Sequence, residues 1–139
     1  MRSSPEDAKL EAMFVAVATP AETGSAPAVV GFALGGRCRH PGLAQGEIEL
    51  LYVLDDWRDL GLGRRLMRAT AAHLSAIGCG SAMLWVLSEN PSRWFYRHLG
   101  GRNVGADEIH FAGRSVRRTA MLWDPIELLL AATARADRA

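Results

Sequence analysis

The run WRDLGLGRRLMRA, residues 57–69, places two glycines and several arginines where a strand-like run gives way to a helix-like run. The first N–H groups of a helix have no intrahelical partner, and the helix dipole adds partial positive charge there. Because glycine has no Cβ, a phosphate can approach that backbone closely. The N–H groups of residues 60–64 are therefore candidate phosphate donors, with Arg58, Arg64 and Arg65 adding charge.

Two well-known nucleotide loops do not fit this run. A P-loop needs Lys-Ser/Thr after its second glycine, and a dinucleotide loop needs a third glycine. Here Gly61 and Gly63 are followed by Arg64, Arg65 and Leu66. A lone Gly-x-Gly is a weak signal, and an ordinary tight strand–helix connection explains it equally well. Both interpretations stay open on the loop alone.

The elements around the loop follow from apolar periodicity and from Gly, Pro and Asn punctuation. Strands are predicted at 13–19, 27–36, 47–54 and 81–88, with a closing hairpin of 104–113 and 115–123 that turns at Gly113-Arg114. Helices are predicted from 62 to 77, within 90–101 (capped by Asn90) and over 124–136 (capped by Asp124). A loop at 20–26 joins the first two strands. The order β-β-β-α-β-α-β-β-α predicts a mixed sheet with helices on its faces, an α/β domain.

Two segments together resemble the GCN5-related N-acetyltransferases, the GNAT superfamily. In LYVLDDWRDLGLGRRLM, Arg58, Gly61 and Gly63 meet the family's Arg/Gln-x-x-Gly-x-Gly/Ala signature. About 30 residues later, ENPSRWFYRHLGG is similar to its Asn…Phe-Tyr…Leu-Gly-Phe segment. The resemblance covers roughly residues 12–123 and implies a mostly antiparallel α+β sheet with splayed central strands and flanking helices.

The chain departs from the family pattern in three places. Gly101 stands where a Phe is usual, which removes one core aromatic, and the segment from Asn90 to Tyr96 is one residue short. Residues 1–11 stand where most members have helices, so we interpret them as a remnant of a shortened N-terminal region that often shapes the acceptor pocket.

The resemblance implies acetyl-CoA as cosubstrate, without a metal. The pantetheine arm would insert between the splayed strands and contact the backbone of Tyr52 and Val53, and an N–H near Leu51 or Tyr52 would polarise the thioester carbonyl. The residues expected to bind the coenzyme are Leu51, Tyr52, Val53, Arg58, Asp59, Leu60, Gly61, Leu62, Gly63, Arg64, Asn90, Arg93 and Tyr96.

Three residues are candidates for proton transfer. An alkyl amine has a pKa near 10.4, so a base must remove its proton at neutral pH. Glu47 and Glu49 lie two apart on a strand and share a face, and Glu47 matches the base position of histone acetyltransferases in the family. Tyr96 matches the family's general acid for the departing thiolate. The alternatives are a solvated or salt-bridged glutamate and a half-buried helix tyrosine.

The sequence leaves three functions open. The first is acetyl transfer from acetyl-CoA to a primary amine of a small molecule, by direct attack in a ternary complex. The second is acetylation of a protein N-terminus or lysine, and the third is a non-catalytic acyl-CoA-binding module. Arg114, Arg117 and Arg118 are interpreted as a solvated hairpin, with the coenzyme's 3′-phosphate or an acidic acceptor as alternative partners.

Composition bounds the remaining expectations. The 139 residues, 49% hydrophobic and 22% charged, suit one globular domain over 1–139. A net charge of +1 disfavours nucleic acid as a partner, and no apolar run is long enough for a membrane span. Cys38 and Cys79 are expected to be free thiols in a reducing cytoplasm. The terminal helix within 124–139 offers an apolar surface to a homodimer partner or to its own sheet.

Overall fold

The computed structural model describes residues 9–19, 26–39 and 42–134, and the predicted loop at 20–26 falls almost entirely outside them. Six strands are present: β1 (Ala12–Ala18), β2 (Ala28–Arg37), β3 (Gly46–Val53), β4 (Ala82–Leu87), β5 (Arg102–Phe111) and β6 (Arg114–Trp123). Three α-helices accompany them: α1 (Leu62–Ala76), α2 (Ser92–His98) and α3 (Glu127–Thr133). Within these described residues the element order confirms the prediction, which did not include the 3₁₀ turn at Asp55–Trp57.

The strands form one sheet in the order β1-β2-β3-β4-β6-β5. All neighbours pair antiparallel except β3 and β4, which run parallel. That parallel pair holds together only at Gly46–Ala82 and Glu47–Met83, after which the two strands diverge. The predicted α/β fold, a mostly antiparallel sheet with splayed central strands, is therefore confirmed.

All three helices contribute to one face of the sheet, which we call the helix face. α1 buries Leu66, Met67, Thr70, Ala71 and Leu74, spaced as an amphipathic helix requires, against strands β1 to β3. The opposite side, the far face, has a smaller buried cluster of Ala44, Met83, Ala120 and Leu122. The main core thus lies under the helices, and no helix among the described residues covers the far face.

The structure explains why residue 101 is glycine and not the phenylalanine that the family pattern has there. A Cβ at Gly101 would lie 2.7 Å from Cζ2 of Trp123, closer than atoms can pack. The Trp123 side chain is fully buried, and its indole N–H donates to the Leu99 carbonyl at 3.1 Å. The indole ring of β6 therefore occupies the space beside residue 101, which leaves room only for glycine.

Three local predictions are corrected in detail. Helix α3 begins at Glu127 with Ile126 at its N-cap, so Asp124 is not the cap; it lies in the bend before Pro125. The β5–β6 hairpin turns at Ala112-Gly113, both with positive φ, instead of Gly113-Arg114. Helix α2 begins two residues after Asn90, although the Asn90 Oδ1 still accepts the Ser92 N–H at 2.8 Å. Helix ends depend on the chain that flanks them, which periodicity does not report.

The cysteines, the possible metal ligands and the helix lengths of the described residues bear on which kinds of site they can form. Cys38 and Cys79 form no disulfide, and burial raises the pKa of the Cys79 thiol. The described part of the chain has no group of three His, Cys, Asp or Glu side chains able to hold a metal ion. None of the helices described is long and apolar enough to cross a membrane.

Candidate active site

A cavity of about 770 Å³ opens on the helix face where β3 and β4 part. The divergence of the two strands creates its floor, and the glycine loop, α2 and the end of α3 form its walls. Its lining residues are Leu51, Tyr52, Val53, Arg58, Asp59, Gly61, Gly63, Arg64, Pro91, Ser92, Phe95, Tyr96, His98, Leu99 and Ala132. Apolar walls with a few convergent polar groups are typical of ligand sites.

A β-bulge decides which backbone groups of β3 face this cavity. Register with β2 shifts between Leu34–Leu50 and Gly35–Ile48, so Glu49 is the extra residue. The Leu54 N–H donates to the Val30 carbonyl on the β2 side. Because N–H directions alternate along a strand, Leu51 and Val53 point theirs toward the split. Of the two predicted oxyanion donors, Leu51 and Tyr52, the geometry favours Leu51.

The glycine loop leads directly into α1. Gly61 has φ +82°, a left-handed conformation that glycine adopts without steric cost. The N–H of Arg65 makes the first helical bond, to the Gly61 carbonyl at 3.1 Å, so the N–H groups of Leu62 and Gly63 precede the helical hydrogen-bond ladder. A Cβ at Gly63 would lie 3.3 Å from the Phe95 ring. Gly63 therefore also allows α1 and α2 to approach closely, a role the sequence did not indicate.

The loop's arginines lie at the cavity mouth. The exposed Arg58 side chain reaches Asp55 at 3.3 Å, and its Nε donates to the Val53 carbonyl at 3.4 Å. Arg64 also lines the cavity. Two guanidinium groups and the N-terminus of a 15-residue helix thus converge on one entrance. This arrangement suits a pyrophosphate, since donors and charge both come from the same side.

Tyr96 lies on the cavity wall with its ring in the core. The ring packs edge-on against Phe95 and Trp123, with centroids 5.3 and 6.4 Å away. The Tyr96 hydroxyl makes no hydrogen bond within the described residues. Its oxygen is not buried away from solvent either, so it is open to the cavity. Burial raises the Tyr96 pKa above its ordinary value near 10. The hydroxyl is therefore a proton donor at neutral pH.

The two glutamates of β3 lie in different surroundings. Ile48 between them is in the helix-face core, so alternation and the bulge place Glu47 and Glu49 on the far face. Glu49 is bound by the ammonium of Lys9, which also contacts Glu11 at 3.0 Å. Burial raises the pKa of Glu49 and the Lys9 hydrogen bond opposes that rise. Glu47 makes no hydrogen bond or ion pair with the described residues, and it lies at the last β3–β4 pair, where the split begins.

Most of the predicted coenzyme residues line the cavity, and four do not. Leu60 is 61% exposed, and Leu62 lines a separate shallow groove beside β1. Asn90 is engaged with the first turn of α2, and the Arg93 guanidinium lies over the Trp94 ring at 5.0 Å. These four residues flank the site without reaching its wall.

The cavity also has lining residues that the sequence did not indicate: Pro91, Ser92, Phe95, His98, Leu99 and Ala132. Ser92 and Leu99 lie four and three positions from Tyr96, so helical spacing alone would have found these two. Ala132 had no such signal, because it reaches the site only through the packing of α3 against α1.

Comparison with known proteins places this geometry in a family. The model of the FR47-like protein family matches residues 30–110, more than half of the chain. YuaI, an uncharacterized N-acetyltransferase of Bacillus subtilis (strain 168), is 32% identical over 84 residues, which is 60% of this chain and 49% of YuaI. The chain thus spans about half the length of the curated relative it matches.

Solved acetyltransferase structures share the fold. Arabidopsis thaliana NAA60 with a bisubstrate analogue superposes with a TM-score of 0.73 at 17% identity, covering 84% of this chain and 77% of that one. NAA60 with acetyl-CoA gives 0.58 at 16% identity, covering 69% and 66%. Ard1 from Thermoplasma volcanium gives 0.59 at 23% identity, covering 69% and 63%. With the family match over residues 30–110, the chain belongs to the FR47-like family of GCN5-related N-acetyltransferases.

Proposed function

We propose that this domain transfers the acetyl group of acetyl-CoA to a primary amine of a small molecule, by direct attack in a ternary complex. One observation carries the proposal: open backbone donors of β3, the glycine loop and the Tyr96 hydroxyl meet in a single cavity at the strand split. NAA60, which shares the fold, has been solved with acetyl-CoA. The N–H groups of Leu62 and Gly63, with Arg58, would hold the pyrophosphate at the mouth.

The chain's own groups account for each proton and charge in the transfer. The Leu51 N–H would donate to the carbonyl oxygen as negative charge develops, an effect of about 3 kcal/mol in other acyl transfers. As the amine nitrogen forms its bond to the acetyl carbon, the C–S bond breaks. Tyr96 gives its proton to the departing thiolate. A base on the far side of the split takes one proton from the ammonium before the attack. The second proton that the nitrogen loses on becoming an amide returns to Tyr96 through solvent.

We propose Glu47 as that base, acting directly or through a water. It lies where the strands part and is not engaged by a cation of the described chain at hydrogen-bond distance. Burial raises the pKa of Glu49, the other candidate, but its carboxylate is already bound by the Lys9 ammonium and is not free to face an acceptor. Glu47→Gln should lower kcat/KM at least tenfold, as loss of a general base does.

A thiol-release assay with acetyl-CoA and a panel of amines tests the proposal. Turnover that depends on Glu47, and changes less than threefold in the matched variant Glu49→Gln, would support it. Equal losses in both variants with unchanged thermal stability would contradict the choice of Glu47. Tight acetyl-CoA binding in calorimetry with no thiol release from any amine would instead indicate a binding module.

A further inference from the structure

The far face has an open apolar cleft over the strand split. Counting on from the last β3–β4 pair, Leu50 and Tyr52 lie across the split from Trp85 and Leu87. Leu50, Tyr52 and Leu87 are 49%, 46% and 45% exposed, which is unusual for three large apolar side chains flanking one opening. Since the proposed coenzyme cavity takes up the helix face of the split, an acceptor would reach the split from the far face.

One wall of the cleft is a fixed cation. The Arg118 guanidinium lies over the Trp85 ring at 4.0 Å. Its Nε and Nη2 donate to the two carboxylate oxygens of Asp107, both at 2.9 Å. The hydrogen bonds to Asp107 raise the pKa of Arg118, with a smaller contribution from the charge of Glu47. Asp107 offsets the charge of Arg118, and the guanidinium keeps its Nη1 protons and one Nη2 proton as remaining donors.

Lys9 is a second cation near the cleft, and it too is paired with carboxylates. The ammonium of Lys9 contacts the carboxylates of both Glu11 and Glu49. Burial alone would lower the Lys9 pKa, but its hydrogen bonds to the two glutamates raise it, which keeps this cluster charged and paired. The cleft therefore presents the Glu47 carboxylate beside apolar side chains. Around it, four carboxylates (Glu11, Glu47, Glu49 and Asp107) outnumber the three cations Lys9, Arg39 and Arg118.

We propose that the acceptor is a small primary amine with an apolar, uncarboxylated body, of the arylalkylamine type. This inference rests on the proposed acetyl transfer and names its substrate class. The ammonium would face Glu47 at the closed end of the split, and the apolar body would pack against Leu50, Tyr52 and Leu87. A free amino acid fits poorly, because its carboxylate would be desolvated where carboxylates already outnumber cations.

A peptide fits less well than a small amine. β2 pairs with β3 and β4 pairs with β6, and the edges that β3 and β4 leave open face the split, where the coenzyme arm would lie. The far face around the cleft therefore offers mainly side chains. Peptide amides laid on these apolar side chains would lose water without gaining hydrogen bonds. A compact aromatic or aliphatic body has no such cost.

Four acceptors compared by thiol release test the inference: 2-phenylethylamine, ethylamine, phenylalanine and phenylalanyl-glycinamide. We expect kcat/KM for 2-phenylethylamine to exceed that of each of the others at least tenfold, the scale on which apolar pockets discriminate. Equal or better turnover of phenylalanine, the peptide amide or ethylamine would overturn the inference while leaving acetyl transfer intact. Absence of thiol release with all four would overturn the inference, and the proposed acetyl transfer would fail with it only if the wider amine panel also released no thiol.

Variants of the cleft separate specificity from folding. Leu87→Ala should lower the ratio of kcat/KM for 2-phenylethylamine over ethylamine at least threefold, and Leu50→Ala should do the same from the opposite strand. Phe111→Ala, which removes a side chain 68% exposed at the end of β5, is the matched control and should keep the ratio. An unchanged ratio in both cleft variants, with native circular dichroism, would refute the proposed subsite.

Discussion

Replacing Tyr96 with phenylalanine removes one oxygen and keeps the ring. The ring's edge contacts with Phe95 and Trp123, at 5.3 and 6.4 Å, do not involve the hydroxyl. Because the hydroxyl makes no hydrogen bond within the described residues, we expect the free energy of unfolding to change by less than about 1 kcal/mol. The effect should therefore fall on catalysis, where the lost proton donor matters.

The size of that effect follows from the leaving group. General acid catalysis contributes about 10²–10⁴-fold, but an alkyl thiol has a pKa near 8.5 and leaves tolerably as thiolate. We therefore expect kcat for Tyr96→Phe to fall by a factor of about 10 to 100, which corresponds to an activation barrier higher by about 1.4–2.7 kcal/mol. The acetyl-CoA dissociation constant should stay within twofold.

The assay is thiol release for the rate and titration calorimetry for affinity, with thermal unfolding as a check on stability. Trp94→Phe is the control, since Trp94 lies on the same helix, is 57% exposed and does not line the cavity. A Tyr96→Phe rate within twofold of wild type would remove Tyr96 from the mechanism. Parallel losses of rate, coenzyme affinity and thermal stability would show that its role is structural.

Three further predictions concern the loop, the core and the pH profile. Gly63→Glu should abolish acetyl-CoA binding in calorimetry, because a carboxylate would fill and repel the phosphate site, whereas Gly42→Glu, at an open turn, should bind normally. Gly101→Ala should lower the free energy of unfolding, measured with denaturant, by about 1–3 kcal/mol, because the new Cβ would meet Trp123. Gly105→Ala is the control: a Cβ there has nothing within 4 Å and should change the free energy of unfolding by less than about 1 kcal/mol. Because burial raises the Tyr96 pKa above its ordinary value near 10, the Tyr96 hydroxyl stays protonated up to about pH 10. The pH profile of kcat should therefore show no decline due to Tyr96 below that pH. A decline near pH 8 that disappears in Tyr96→Phe would contradict this.

Signals between residues close in sequence were enough to predict the strands, the helices and much of the candidate site. Apolar periodicity and Gly, Pro and Asn punctuation depend on neighbouring residues, so the order of strands and helices was predictable. The loop from Arg58 to Arg64 and the position of Tyr96 on a short helix were predictable for the same reason, with the family motif selecting between alternatives. The family motif placed Leu60, Leu62, Asn90 and Arg93 at the site, and their side chains lie outside the cavity wall because a motif does not fix the direction of each side chain.

The sequence by itself determined a mixed sheet, a helix N-terminus suited to an anion and a tyrosine positioned after the next strand. Only the tertiary structure decided which backbone groups face the split, because the bulge at Glu49 arises from the register between β2 and β3. It also distinguished Glu47 from Glu49, since Lys9, 40 positions away along the chain, binds one and not the other. Strand register and ion pairs join residues distant in sequence, so they are determined only when the whole sheet has formed.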